Sequence, residues 1–322
     1  MLKERKLGKS GISVYPIGIG LWAIGGKTWG PTSDRESLDT ISRALDLGVT
    51  FFDTADIYGD GHSEELLGRA MQGRRDKFIV GTKIGWIGFD GEENASAYTS
   101  PEKIIVGVED NLKRLHTDYI DILQWHVNFQ DPTTENFIIG CERLKKQGKI
   151  RGYGVSTSDI DYLRSFVSTG GPDTLQIDYS ILNRTAEKEI FPFCRDENLG
   201  VIVRGGLAMG ILTGKFNPET TFPEGDFRRS WIENPDQKEQ FLEDLRVVDK
   251  LKDAFPSQNL AELAIRFIIS NPAVSVIIPG AKRVSQLESN FHAGDAGLLT
   301  DQEMDAINHI VAPGKGRKIW PA

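Results

Sequence analysis

Residues 51–59 read FFDTADIYG. A short apolar run closes on the carboxylate of Asp53, and Tyr58 follows in what reads as the loop leaving the strand. The pattern recurs at 78–85, FIVGTKIG, and at 120–127, IDILQWHV, which put Lys83 and His126 at or just past strand ends. Working outward, strand candidates fall at 17–22, 50–53, 78–83, 120–125, 150–156, 174–177, 200–204 and 274–278, eight in all. Amphipathic stretches lie between them, at 34–47, from 101, and at 134–147, 159–166, 187–198, 258–270 and 284–290. In the first, Leu38, Ile41 and Leu45 share a face, Ser33 and Glu36 suit a capping box, and Gly48 suits the stop. Ser100-Pro101 reads as a cap followed by proline in the first helical position.

Strands alternating with helices predict an α/β fold with a parallel sheet. Periodicity alone also allows an open doubly wound sheet. The count of eight, and the lack of a GxGxxG after the first strand, favour a (β/α)8 TIM barrel. The opening turn residues, KLGKSG followed by ISVYP, predict a hairpin plugging the barrel floor. Residues 205–252 exceed a simple βα connection and carry TGKFNPETTFPEGDFRRSWIENP, then a helix near 237–252. Long loops at the C-terminal face of a barrel usually shape its active site.

The length of 322 residues suits one barrel of about 250 residues with added loops, so residues 1–322 are read as one domain. Cys141 and Cys194 lack neighbours at metal-ligand spacing, which points to a reducing, cytoplasmic setting. The N-terminus has no apolar signal core and no run of eighteen apolar residues occurs, so neither export nor a membrane span is expected. A net charge of −8 argues against general binding to nucleic acid or an anionic membrane.

Asp53, Tyr58, Lys83 and His126 at one end of a barrel form a proton-donor site. Tyrosine, with a reference pKa of roughly 10, is a poor acid at neutral pH. A neighbouring ammonium favours the phenolate and lowers that pKa, a carboxylate can hold the lysine, and an imidazole can orient a substrate oxygen. Taken singly, Asp53 reads as a turn residue, Tyr58 as a loop aromatic and His126 as a core histidine. Lys83 stands out, because lysine is rarely buried unpaired.

These residues lie in segments that resemble the aldo-keto reductase family: FFDTADIYGDGHSEELLGRA, GTKIG, QWH, GKIRGYGVSTS and IPGAKRVSQLESN. The likeness runs in order from about residue 17 to 290, and is nearest the branch that includes potassium-channel β subunits and bacterial general aldo-keto reductases. It implies a (β/α)8 barrel that binds NADPH/NADP+ and reduces an aldehyde or ketone, or oxidises an alcohol or polyol. In that reading Tyr58 is the general acid, Lys83 lowers its pKa, Asp53 pairs with Lys83, and His126 orients the carbonyl or helps relay the proton.

The resemblance also implies the cofactor contacts. Gly280, Lys282, Arg283, Gln286 and Asn290 fall at the adenosine-phosphate segment, where a strand end meets a helix N-terminus. Lys282 and Arg283 add charge for a 2′-phosphate and so favour NADPH over NADH. Ser156 and Gln176 match positions that bond the nicotinamide carboxamide. Leu207 is a further cofactor contact, Leu212, Thr213, Gly214 and Lys215 correspond to the pyrophosphate side, and 222–229 is a candidate clamp. Two departures stand out. Thr157 replaces the usual asparagine, offering a hydroxyl where an amide both donates and accepts. Arg204 replaces the ring that normally stacks on the nicotinamide, a place a planar guanidinium can also take.

On the substrate side, Trp22, Trp29, Trp86, Trp125 and Tyr58 are candidates for an apolar mouth. Trp22 and Trp86 are read as walls beside Tyr58 and His126, and Trp22 also as a cofactor contact. The tail GKGRKIWPA, with Trp320, is a candidate cap. The expected partner is a small carbonyl or alcohol. A second class, an NADPH-binding regulatory subunit with little turnover, shares the fold. A barrel hydrolase or lyase fits poorly, because no paired acids stand at strand ends.

Overall fold

The computed structural model describes residues 2–25, 29, 32–85, 98–126 and 134–318. Two strands, β1 (Arg5–Lys6) and β2 (Ser13–Val14), form an antiparallel hairpin. Eight parallel strands follow: β3 (Ile19–Gly20), β4 (Phe51–Asp53), β5 (Ile79–Ile84), β6 (Ile120–Trp125), β7 (Ile150–Ser156), β8 (Thr174–Asp178), β9 (Gly200–Arg204) and β10 (Val274–Ile277). Each pairs with the next in sequence order. Parallel bridges Ile17↔Ile277 and Gly20↔Gly280 join the last strand to the first and close the barrel. The predicted (β/α)8 barrel is therefore the observed fold.

The helices are α1 (Trp22–Gly25), α2 (Asp34–Asp46), α3 (His62–Met71), α4 (Pro101–Arg114), α5 (Thr134–Lys146), α6 (Ile160–Thr169), α7 (Ile190–Asp196), α8 (Ser230–Glu233), α9 (Pro235–Ala254), α10 (Leu260–Ser270), α11 (Val284–His292) and α12 (Asp301–Ile310). Ser33 and Ser100 accept from the backbone N–H groups of Glu36 and Lys103, as their caps predict. Two expectations need correction. Strand β3 stops at Gly20, and Trp22 starts the single turn α1 instead of ending the strand. On α2, Ile41 is buried in the core and Leu38 and Leu45 pack against it half-buried, as expected, with Ser37, Thr40 and Ala44 buried beside them. Polar Thr40 is tolerated there because its hydroxyl donates to Glu36 O at 2.7 Å. Helices α3 and α12 were not anticipated, although Thr300 and Glu303 make a full capping box at the start of α12.

Alternation along the strands decides what faces the barrel axis. Leu7, Ile12 and Val14 of the hairpin region pack with Phe51, Ile122, Ile202, Val276 and Ile278 in one buried cluster. That layer is the plugged floor. Two residues beyond Phe51, Ile122 and Ile202 on the same faces stand Asp53, Gln124 and Arg204, so the floor's register lifts polar groups to the opposite end. A second, larger apolar layer lies between the strands and the helices.

Candidate active site

Lys83 is fully buried on β5, and its ammonium has three partners. Nζ donates to Asp53 Oδ1 at 2.6 Å, to Thr54 O at 2.7 Å and to Tyr58 Oη at 3.1 Å. The other carboxylate oxygen, Asp53 Oδ2, accepts from Gln176 Nε2 at 2.8 Å and Gln124 Nε2 at 3.4 Å. Burial raises the Asp53 pKa, while Lys83, Gln176 and Gln124 pull it back down, and the Lys83–Asp53 couple forms a buried salt bridge at 2.6 Å. Burial pulls against the ammonium, but Asp53 and Tyr58 together keep Lys83 protonated. Sequence reasoning missed Gln124. Its signal was period two, since it lies two residues before His126 on the inward face of β6.

His126 lies with its ring 5.7 Å from that of Tyr58, edge to face. Burial, then the charges of Lys83 and Arg204, push its pKa well below the usual histidine range, so it is a neutral imidazole. Tyr58 departs from expectation. Burial raises its pKa above 10, and the pull of Lys83 does not offset this, in part because Asp53 pushes the same way. Lys83 thus restrains a rise instead of producing a net fall.

These groups open onto a cavity of about 400 Å³. Trp22 forms one wall, stacked between Tyr58 and Phe227 with ring centroids 6.0 Å away on either side. Trp29 meets Phe227 edge-on at 4.9 Å. The 222–229 segment packs against this wall. Arg228 lies over Trp29 and Phe222, each at 4.9 Å, is ion-paired with Asp226 at 2.6 Å, and donates to Met209 O at 3.2 Å. Trp125 is no wall: it is buried against Phe137 at 4.8 Å and Tyr98 at 5.8 Å. It points outward because it neighbours Gln124, which faces in. Trp86 and Trp320 lie outside the described residues.

The proposed cofactor residues divide into two sets. Trp22, Gln176, Arg204, Leu207, Lys215, Gly280, Lys282 and Gln286 line the cavity, as do Gly205, Gly206 and Thr213. Ser156, Thr157, Gly214, Arg283 and Asn290 are not among its lining residues. Thr157 Oγ1 accepts from Asp159 N at 3.1 Å and so serves the start of α6. Gly214 is a left-handed cap at φ +70°. Asn290 is buried and donates to Gly280 O at 3.2 Å, holding the 280 loop from behind. Arg283 is largely exposed and sits 3.6 Å from Glu36, in a surface depression shared with Ser33, Arg35 and Asp39. Lys282 is tied down: its ammonium donates to Trp29 O, and its N–H to Gln286 Oε1 at 2.9 Å.

Features of the cleft fit a phosphorylated nicotinamide nucleotide. Ser156 Oγ, behind the cavity lining, is buried with no hydrogen-bond partner among the described residues, and it is paired across the β7–β8 ladder with Gln176, which does line the cavity. Arg204, Lys215, Arg228 and Lys282 make the cavity wall cationic in a chain of net charge −8. Gly205 takes φ +67°, and a Cβ there would stand 1.9 Å from Asp178 Oδ1, so glycine alone carries the backbone along the wall. No helix among the described residues is long and apolar enough to cross a membrane.

The sequence profile of the Aldo/keto reductase family matches residues 16–312. The chain is similar to the aldo-keto reductase YhdN of Bacillus subtilis, with 36% identity over 96% of this chain and 94% of the relative. Among solved structures it is similar to a glycerol dehydrogenase from Gluconobacter oxydans, at 31% identity and TM-score 0.82, covering 99% and 98% of the two chains. An aldo/keto reductase from Klebsiella pneumoniae, solved in complex with NADP and acetate, shares the fold at TM-score 0.73 and 23% identity, over 97% and 96% of the chains. The chain therefore belongs to the aldo/keto reductase family of oxidoreductase enzymes.

Proposed function

We propose that this enzyme reduces a small aldehyde or ketone to an alcohol with NADPH, or runs the reverse on an alcohol or polyol, with Tyr58 as the general acid or base. The observation that carries the reading is the buried Asp53–Lys83–Tyr58 chain of hydrogen bonds opening on the cavity. When bound, the nicotinamide nucleotide supplies or accepts the hydride. Ser156 and Gln176 would hold its carboxamide, Arg204 would lie along its ring, and Lys215, Gly280, Lys282 and Gln286 would hold its phosphates.

Reduction leaves a developing negative charge on the carbonyl oxygen, which needs a proton. Tyr58 donates it from Oη, and the ammonium of Lys83 stabilises the phenolate left behind. Asp53 keeps Lys83 charged, and Gln124 and Gln176 keep Asp53 in place. His126 is neutral, so one ring nitrogen carries a proton that can be donated to the same oxygen without competing for Tyr58's role. Trp22 gives the pocket an aromatic wall beside Tyr58. A single domain in a cytoplasmic setting completes the reading, supported by the unpaired, buried Cys141 and Cys194.

The test is NADPH oxidation on a panel of simple aldehydes and ketones, with wild type beside Tyr58→Phe. The expected result is turnover by wild type and almost none by Tyr58→Phe, with NADPH affinity retained in both. A fully active Tyr58→Phe enzyme would remove Tyr58 from the role.

A further inference from the structure

Behind the proton donor lies a second buried polar cluster that the reaction does not use. Glu64, on the first turn of α3, is fully buried. Its Oε1 accepts from Thr82 Oγ1 at 2.5 Å and its Oε2 from Arg114 Nε at 2.7 Å. Thr82 directly precedes Lys83 on β5. Arg114, at the end of α4, also donates to Asn111 Oδ1 at 2.9 Å, and Asn111 Nδ2 reaches Lys83 O at 3.4 Å.

The turn from Thr54 to Gly61 carries Tyr58, and the hydrogen bonds that close it (Tyr58 N–H to Ala55 O at 3.2 Å, Asp60 N–H to Ile57 O at 3.3 Å, Ser63 N–H to Tyr58 O at 3.1 Å) are local and do not tie it to β5. Gly59, Asp60 and Gly61 are consecutive left-handed residues, with φ of +63°, +56° and +91°. Arg114 lies flush on it: a Cβ on Gly61 would stand 2.5 Å from Arg114 Cδ. At its start the turn is stitched to β5 by Asp56 N donating to Lys83 O at 3.2 Å. At its far end Glu64 provides the matching stitch, through Thr82 and Arg114. Tyr58 sits between the two.

We infer that Glu64 is a positioning residue for the proton donor: clamped by Thr82 and Arg114, it holds the turn bearing Tyr58 against the strand bearing Lys83. The inference rests on Tyr58 being the acid. Glu64 faces Arg114 and the carboxylate of Asp56, which itself accepts from Tyr98 Oη at 3.3 Å. Burial first, with Asp56 adding to it, raises the Glu64 pKa to about 7 against the pull of Arg114 and Thr82. Retaining a carboxyl group at this cost is understandable if its two acceptor oxygens are needed at fixed places.

The variant to make is Glu64→Met, which keeps the length and removes both acceptors. Arg114 is a quarter exposed and can then turn to water, which releases Gly61. A misplacement of Tyr58 by about 1 Å is expected to lower kcat on the order of a hundredfold. KM for the carbonyl and Kd for NADPH should stay within about threefold of wild type. The basic limb of the kcat–pH profile should move to higher pH, because a more distant ammonium stabilises the phenolate less. Thr82→Val, which removes one hydroxyl, should move the limb the same way by less, and it decides the question if Glu64→Met does not fold. Glu303→Gln weakens a comparable pair with Arg266 far from the cavity, so it should lower Tm and leave the limb in place. A loss of kcat that only tracks the folded fraction, with the limb unmoved, overturns the inference. If wild type itself turns over no carbonyl, the functional reading fails and a crystal structure of Glu64→Met decides this one. Tyr58 Oη still 3.1 Å from Lys83 Nζ would then refute it.

Discussion

Lys83→Met isolates the ammonium at the centre of the site, because methionine fills much of the same channel without a charge. In the structure Nζ is 3.1 Å from Tyr58 Oη. With an effective dielectric of about 20, a unit charge at that range stabilises a full phenolate by roughly 5 kcal/mol. With the proton about half transferred in the transition state, about half of that acts, on the order of 2.5 kcal/mol, or close to a hundredfold in rate. Proton transfer completed before the barrier would give a loss nearer ten-thousandfold. The same substitution leaves Asp53 buried without its cation, so a stability loss of about 3–5 kcal/mol is expected as well. The two effects separate experimentally. Urea unfolding gives the stability change, and single-turnover NADPH oxidation at saturating carbonyl, below the unfolding transition, gives the chemical step. A folded Lys83→Met enzyme whose chemical step is slowed by less than about threefold would refute the electrostatic account of Tyr58.

Three further expectations follow from individual contacts. Lys282→Ala should reduce the preference for NADPH over NADH by about tenfold or more, the effect of one lost charge-assisted contact; unchanged discrimination measured by Kd would remove Lys282 from the phosphate site. Gly205→Ala should destabilise the fold by at least about 2 kcal/mol, since it combines a left-handed backbone with a clash on Asp178; a Tm equal to wild type would show that the β9 loop adopts another path in solution. Glu64, raised from 4.5 to about 7, binds its proton more tightly in the folded state, so its contribution to stability is full at low pH and is lost as pH rises through about 7. Glu64→Gln should therefore flatten the pH dependence of unfolding free energy between about 4.5 and 7 by roughly 3 kcal/mol, leaving the slope from the other raised carboxyls, Asp56 and Asp244 at about 6 and buried Asp53. An unchanged slope would contradict burial of an ionisable Glu64.

The amino-acid sequence by itself determined the barrel and the four central side chains. Short apolar strand runs and helix caps such as Ser33 and Ser100 are local signals, whereas Asp53, Tyr58, Lys83 and His126 read as one site only jointly, through segments that resemble a known family. Tertiary structure alone decided how those groups behave. Whether Lys83 lowers the pKa of Tyr58 depends on how much water burial removes from the phenolate, and that balance comes from packing around the site. Trp125 and Trp22 look alike as tryptophans near strand ends. Only the barrel's register turns Trp125 out into the helix layer, while Trp22 faces the cavity. Ser156, Asn290 and Arg283 fall at family positions, yet just one of the three offers a buried, unpartnered polar atom. Glu64 carried no signal of its own, because a carboxylate on a helix reads as solvent-facing until Thr82 and Arg114, far along the chain, are folded against it.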